Sequence, residues 1–168
     1  MDAIKLLKEQ HDEVESLFKK FEESEDLSEK GRLFTMVADR IAAHATIEEK
    51  VFYPVAYRAG EQDDDEELED MLREAVEEHL AMKRIIADLI DMKPGDENFD
   101  AKMKVLREEV EHHVEEEEGE LFPQARKQIG AVELEELGVE MKEMFDALVP
   151  FEPRLDVLKE TDEAAPLE

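Results

Sequence analysis

Five histidines and 49 acidic residues hold most of the reactive chemistry of this 168-residue chain. Four of the histidines are His11, His44, His79 and His113. Glu48 and Glu117 follow His44 and His113 by four residues. With no cysteine in the chain, any metal must be held by imidazole and carboxylate. That donor set suits Fe or Mn, and Zn is compatible with it. The competing reading is structural, because a single histidine on a helical seam is usually a hydrogen-bonded core residue. The His-x-x-x-Glu spacing alone does not decide. Four of the five histidines have a glutamate four positions on (Glu15, Glu48, Glu116 and Glu117), because the chain is so rich in acid.

Phase, level and repetition decide more. His79 falls in the heptad series 68, 72, 75, 79, 82, 86, 89, whose other members are apolar. His44 and Glu48 fall in the series 37, 41, 44, 48, 51, again otherwise apolar. His113 and Glu117 continue Met103, Leu106 and Val110, and His11 lies between Leu7 and Val14. All six therefore face a seam. At about 1.5 Å of rise per residue, antiparallel helices place the four histidines in one layer. The chain also repeats itself. At an offset of 68, His11 falls on His79 and Phe18 on Ile86. At an offset of 69, His44 falls on His113, Glu48 on Glu117, Glu49 on Glu118, Tyr53 on Phe122 and Pro54 on Pro123. A two-helix unit thus occurs twice. Two buried carboxylates among four imidazoles would cost several kcal/mol per unpaired ion, and a metal pair removes that cost.

Helices must position these groups. Apolar residues recur at helical spacing from about Asp2 to Glu23, from Ser28 or Glu29 to Pro54, from Glu66 to Met92, and from Phe99 or Asp100 to Leu121. Asp2 is a candidate N-cap. Loops are expected over about Arg58–Asp65 and at Lys93-Pro94-Gly95. A shorter helix is expected over about Ala131–Leu148. The expected fold class is all-α, an up-down-up-down four-helix bundle with a short additional C-terminal helix. Residues 1–149 form that unit, and 150–168, with Pro150, Pro153 and Pro166, are expected as an extended or disordered tail.

The formal net charge is -28. Phosphate neutralisation needs clustered Lys and Arg, so nucleic acid is excluded as a partner. Anionic membrane surfaces are excluded for the same reason. No apolar run approaches the roughly 18 residues of a membrane span. The expectation is a cytoplasmic, self-repelling monomer.

The combined pattern resembles the hemerythrin-like, HHE cation-binding family. Gln10-His11-Asp12, His44 to Glu48-Glu49 and on to Phe52-Tyr53-Pro54, Glu78-His79, and His112-His113 to Glu117 and on to Phe122-Pro123 carry the likeness. It covers about residues 1–126. The resemblance implies two iron ions with a bridging oxo or hydroxo group. By position it implies His11, His44, His79 and His113 as imidazole ligands and Glu48 and Glu117 as bridging or chelating carboxylates. The chain departs from reversible oxygen carriers of the family, which have a second histidine on the third helix, where this chain has Ala75 and Lys83. The donors then fall at or just short of two roughly five- or six-coordinate irons, leaving an exchangeable position.

Several neighbours have open roles. His112 points about 100° away from His113, so it supports a ligand or faces solvent. Glu15 fills a vacancy or is a surface acid. Lys83 reaches a bound oxygen species or stays at the rim. Tyr53 supports the site or packs at the helix end, and Asp12 supports its own helix face. The implied function is binding of O2, NO or peroxide, or sensing of iron or oxygen. The alternative is a di-iron enzyme acting on peroxide or O2, catalase-like or an oxidase. A metal-free acidic interaction bundle is the third reading.

Overall fold

A computed structural model describes all of residues 1–168. Helix α1 (Ala3–Glu23) starts where the Asp2 carboxylate accepts from the Lys5 amide at 2.9 Å. Helix α2 (Leu27–Ile47) starts at Asp26, which caps Glu29, and α4 (Glu66–Ile90) at Asp65, which caps Leu68. Each cap satisfies an amide that the first turn leaves unpaired. Helix α5 is Phe99–Glu116. These four run up and down as a bundle.

Helix α2 does not stop at Pro54. It passes through a π-helical turn (Glu48–Phe52) into α3 (Tyr53–Gln62). Helix α5 likewise passes through a π turn (Glu117–Leu121) into α6 (Phe122–Gln128). In both, an amide reaches back five residues, Tyr53 to the Glu48 carbonyl and Phe122 to the Glu117 carbonyl. Proline comes next in each, and it has no amide hydrogen to give. The wide turn absorbs that loss and the helix continues. The loop expected from Arg58 is therefore helical to Gln62.

The core is split in two. One cluster holds Ile4, Leu7, Ile47, Leu68, Leu72 and Leu121; the other holds Val14, Phe18, Val37, Ile41, Met82, Ile86 and Leu106. On each of the four long helices, a histidine marks the passage from one cluster to the other.

Helix α7 (Ala131–Leu148) packs against α1 and α2, with Leu134, Leu137, Met141 and Phe145 joining the first cluster. Gly138 permits this approach, since a Cβ there would strike the Met1 carbonyl oxygen. Part of the segment 150–168, expected as an extended or disordered tail, is helical. Pro153–Lys159 form a 3-10 strap against α2 and α4, with Val157 buried in the second cluster. Arg154 fastens it, donating from its amide and Nη1 to the buried Asp39 carboxylate at 3.1 and 2.9 Å. Three prolines suggested fraying, but this ion pair and Val157 supply the anchor.

Candidate metal centre

The structure brings His11, His44, Glu48, His79, His113 and Glu117 into one layer between the two apolar clusters, and all six are buried. Their arrangement follows the repeat. His11 Nε2 lies 3.2 Å from His44 Nε2, both from the first half. His79 Nε2 lies 3.1 Å from His113 Nε2, both from the second. Glu48 spans the pairs, with Oε1 3.1 Å from His44 Nε2 and Oε2 3.1 Å from His79 Nε2. Glu117 spans them from the other side, with Oε1 2.5 Å from His113 Nε2 and 3.7 Å from His11 Nε2. Each glutamate is the first residue of a π turn.

The outward nitrogen of every ring has an acceptor. His11 Nδ1 donates to Glu118 Oε1 at 2.8 Å, and His79 Nδ1 to Glu49 Oε2 at 2.7 Å. His44 Nδ1 donates to Gln10 Oε1 at 2.7 Å, and His113 Nδ1 to Glu78 Oε1 at 2.8 Å. These partners also obey the repeat, Glu49 with Glu118 and Gln10 with Glu78. A proton on Nδ1 leaves Nε2 as a lone pair, which orients the ring as a metal ligand. The sequence reading did not assign these four acceptors. Their signal was adjacency, since each directly precedes or follows a ligand in both copies of the repeat.

With Nδ1 protonated, the inward atoms are all electron-rich. Nε2 faces Nε2, and Nε2 faces carboxylate. Glu48 Oε1 and Glu117 Oε1 are buried with no hydrogen-bond donor. Such buried, unpaired acceptors are costly. Two bonds of about 2.1 Å at a right angle end roughly 3.0 Å apart, close to the spacing within each histidine pair. The donor set therefore fits metal cations held by the Nε2 atoms and the Glu48 and Glu117 carboxylates.

Electrostatics distinguish the two sides. Burial opposes charge on His113, but Glu117 and Glu78 outweigh it and hold its pKa well above the usual imidazole value. Burial also opposes charge on His79, and Glu48 and Glu49 raise it nonetheless. His11 goes the other way, lowered by burial and by His44 despite its glutamate neighbours. Burial opposes the Glu48 charge, yet His44 and His79 keep its carboxyl well below the usual range.

Tyr53 enters the centre. Its hydroxyl donates to Glu48 Oε2 at 3.0 Å and lies 3.3 Å from Glu117 Oε2 and His79 Nε2 and 3.4 Å from His113 Nε2. Burial and the Glu117 and Glu48 carboxylates push the phenol well above its usual value, so it keeps its proton. Its counterpart Phe122 has no hydroxyl and stacks on His11 at 5.9 Å between centroids. Lys83 does not face the centre; it pairs with Glu49 at 2.8 Å, behind His79. Glu15 is held at the periphery by Arg107. His112 is exposed, beside Glu116 and Glu78. Asp12 is exposed on α1.

A cavity of about 30 Å³ adjoins the four imidazoles, walled by Val14, Ile41, Met82 and Val110. That space admits only a very small ligand. No helix is long and apolar enough to cross a membrane.

Known proteins are similar to this chain in sequence and fold. The chain is similar to a protein called DNA nickase from Nostoc sp., at 27% identity over 142 residues, 84% of this chain. The chain spans 38% of that relative's length. Its fold matches the crystal structure of a hemerythrin HHE cation binding domain-containing protein from Mycobacterium kansasii, with a TM-score of 0.76 and 23% identity. That match covers 99% of this chain and 98% of the other. The family model for the hemerythrin HHE cation binding domain matches residues 2–125, which include all six inward-facing groups. The chain belongs to the hemerythrin HHE cation-binding domain family.

Proposed function

We propose that this chain holds a non-heme di-iron centre that binds a small oxygen species, O2 or peroxide, or NO. The carrying observation is the convergence of four Nε2 lone pairs and two donor-free carboxylate oxygens beside a cavity of about 30 Å³. Two irons held by the six residues would supply redox equivalents and Lewis acidity to such a ligand. The protein's part is to orient and exclude. Glu118, Gln10, Glu49 and Glu78 fix the four rings. Val14, Ile41, Met82 and Val110 keep bulk water out.

A second reading, an enzyme acting on peroxide or O2 in a catalase-like or oxidase reaction, is favoured by Tyr53. Its hydroxyl oxygen lies within 3.0–3.4 Å of four candidate ligands, where it could donate a hydrogen bond to a bound oxygen species. For this chain we propose no nucleic-acid activity despite the relative called DNA nickase, since a net charge of -28 repels phosphate. A cytoplasmic monomer accords with that self-repulsion and with the absence of cysteine.

Elemental analysis and an ultraviolet–visible spectrum of protein made in iron-rich medium test the reading. Two irons per chain and near-ultraviolet bands are expected, and Glu48→Ala should lose both. Protein without stoichiometric metal would leave a metal-free interaction bundle. Peroxide dismutation by the loaded protein would select the enzyme; a stable, reversible oxygen adduct without turnover would select the binder.

A further inference from the structure

The two halves of the repeat match at the six inward-facing groups and disagree on one outer face. In the first half, Leu6, Ala43, Ile47 and Val51 are buried, in the cluster that α7 helps to close. In the second half the matching positions are Glu74, His112, Glu116 and Glu120. No helix covers them, and Glu74, His112 and Glu120 are exposed. The charged set thus lies where the other copy is sealed.

Three of these neighbours converge. His112 Nε2 lies 3.1 Å from Glu116 Oε1 and 3.5 Å from Glu78 Oε2. All three donor atoms lie within 4.8 Å of one another. Glu78 faces two ways, since its other oxygen accepts from His113 Nδ1 at 2.8 Å. Beside the cluster a cleft of about 40 Å³ runs inward along Glu74, Glu78, Glu116 and Glu120. Its inner wall is Glu117, which is 1% exposed and has a carboxylate oxygen without a hydrogen-bond donor. A mixed imidazole–carboxylate cluster therefore opens to solvent on one side and adjoins, through the cleft, the buried Glu117 side chain, whose unpaired Oε1 faces His113 and His11 in the centre beyond.

We propose that Glu78, His112 and Glu116 form an exchangeable divalent-cation site through which metal reaches the buried centre. One imidazole and two carboxylates suit Fe²⁺, Mn²⁺ or Zn²⁺. Three protein donors open to water leave room for the ion to keep part of its hydration shell and exchange quickly. The site itself is independent of the proposed di-iron function; its loading role rests on it.

Two measurements on the full chain test this. Mn²⁺ titration followed by electron paramagnetic resonance counts bound ions. The variant His112→Ala/Glu116→Gln should bind one ion fewer than wild type. The buried-ligand variant His44→Ala/Glu48→Gln still has the His79–His113 pair, so the outer site is read by difference: adding His112→Ala/Glu116→Gln to it should remove one rapidly exchanging ion. In anaerobic Fe²⁺ loading, His112→Ala/Glu116→Gln should reach the wild-type iron content at least tenfold more slowly. Circular dichroism melts would show that the variants are folded. Equal ion counts in wild type and His112→Ala/Glu116→Gln would overturn the site, and equal loading rates would overturn its role. A wild-type protein that retains no iron would defeat the di-iron reading, while the Mn²⁺ difference in the buried-ligand variant would still decide the outer site.

Discussion

Tyr53 and Glu48 meet across one wide helical turn: the Tyr53 amide donates to the Glu48 carbonyl, and its hydroxyl donates to Glu48 Oε2 at 3.0 Å. In an uninterrupted α-helix, residues five apart point about 140° apart. The π turn closes that gap and puts a phenol against a bridging carboxylate.

Tyr53→Phe isolates the hydroxyl. The ring still packs against Phe52 and His79, so the fold should persist. Iron content should stay at the wild-type value. If the Tyr53 hydroxyl donates a hydrogen bond to the reacting oxygen species, peroxide turnover should fall about 10²-fold, the scale for losing one such donor. Steady-state assays at matched iron content measure this. Unchanged turnover would reduce Tyr53 to a hydrogen-bond partner of Glu48.

Metal removal should cost considerable stability. Without cations, Glu48 Oε1 and Glu117 Oε1 are buried and have no donor until a facing imidazole takes up a proton. A ligand at a thousand times its Kd adds about 4 kcal/mol to the folded state. For a chain of this size, about 1 kcal/mol moves Tm by roughly 2–4 °C. The loaded protein should therefore melt about 10 °C above the chelated one. Calorimetry with and without chelator checks this, and coincident melts would contradict it.

The pH response should reverse between the two forms. In the chelated protein, the raised pKa values of His79 and His113 stabilise the fold when these rings are protonated. That contribution is complete below about pH 6.5 and fades as pH rises through the raised values. The lowered Glu48 and Glu49 act oppositely, stabilising above about pH 4.5 and fading as pH falls. The chelated protein should then be most stable in mild acid. The loaded protein should instead weaken over the same fall, because protons displace metal from imidazole. Iron release followed against pH should track that loss of stability.

Much of the centre was legible because its rules are local. Heptad phase puts His79 between Ala75 and Met82, and the two offsets align His44 with His113 and Glu48 with Glu117. What crosses between helices was less legible. Glu118 serves His11 from the opposite half of the repeat, and only packing reveals that. The π turns are hidden because an unbroken 3.6-residue period through Glu48–Phe52 leaves Tyr53 either supporting the site or packing at a helix end. Lys83 lies one turn from His79, yet Glu49 draws it away from the cavity. The strap was hidden because one ion pair, Arg154 with Asp39, does the work that periodicity does elsewhere.

The repeat breaks at Gln10, and that break can be tested. Gln10 holds His44 through a neutral amide oxygen, whereas its counterpart Glu78 holds His113 through a carboxylate. A carboxylate acceptor raises the basicity of the imidazole more than an amide does, so the first-half site should be the weaker donor. Gln10→Leu removes the acceptor and leaves the His44 Nδ1 proton buried without a partner. Outer partners of this kind are worth about 10–100-fold in metal affinity. Competition titration against a chelator should show one of two irons released at that much lower chelator strength, with the other unchanged. Gln10→Glu should act in the opposite direction and bring the two affinities together. If Gln10→Leu weakened both irons equally, the ring-by-ring account of the four acceptors would fail.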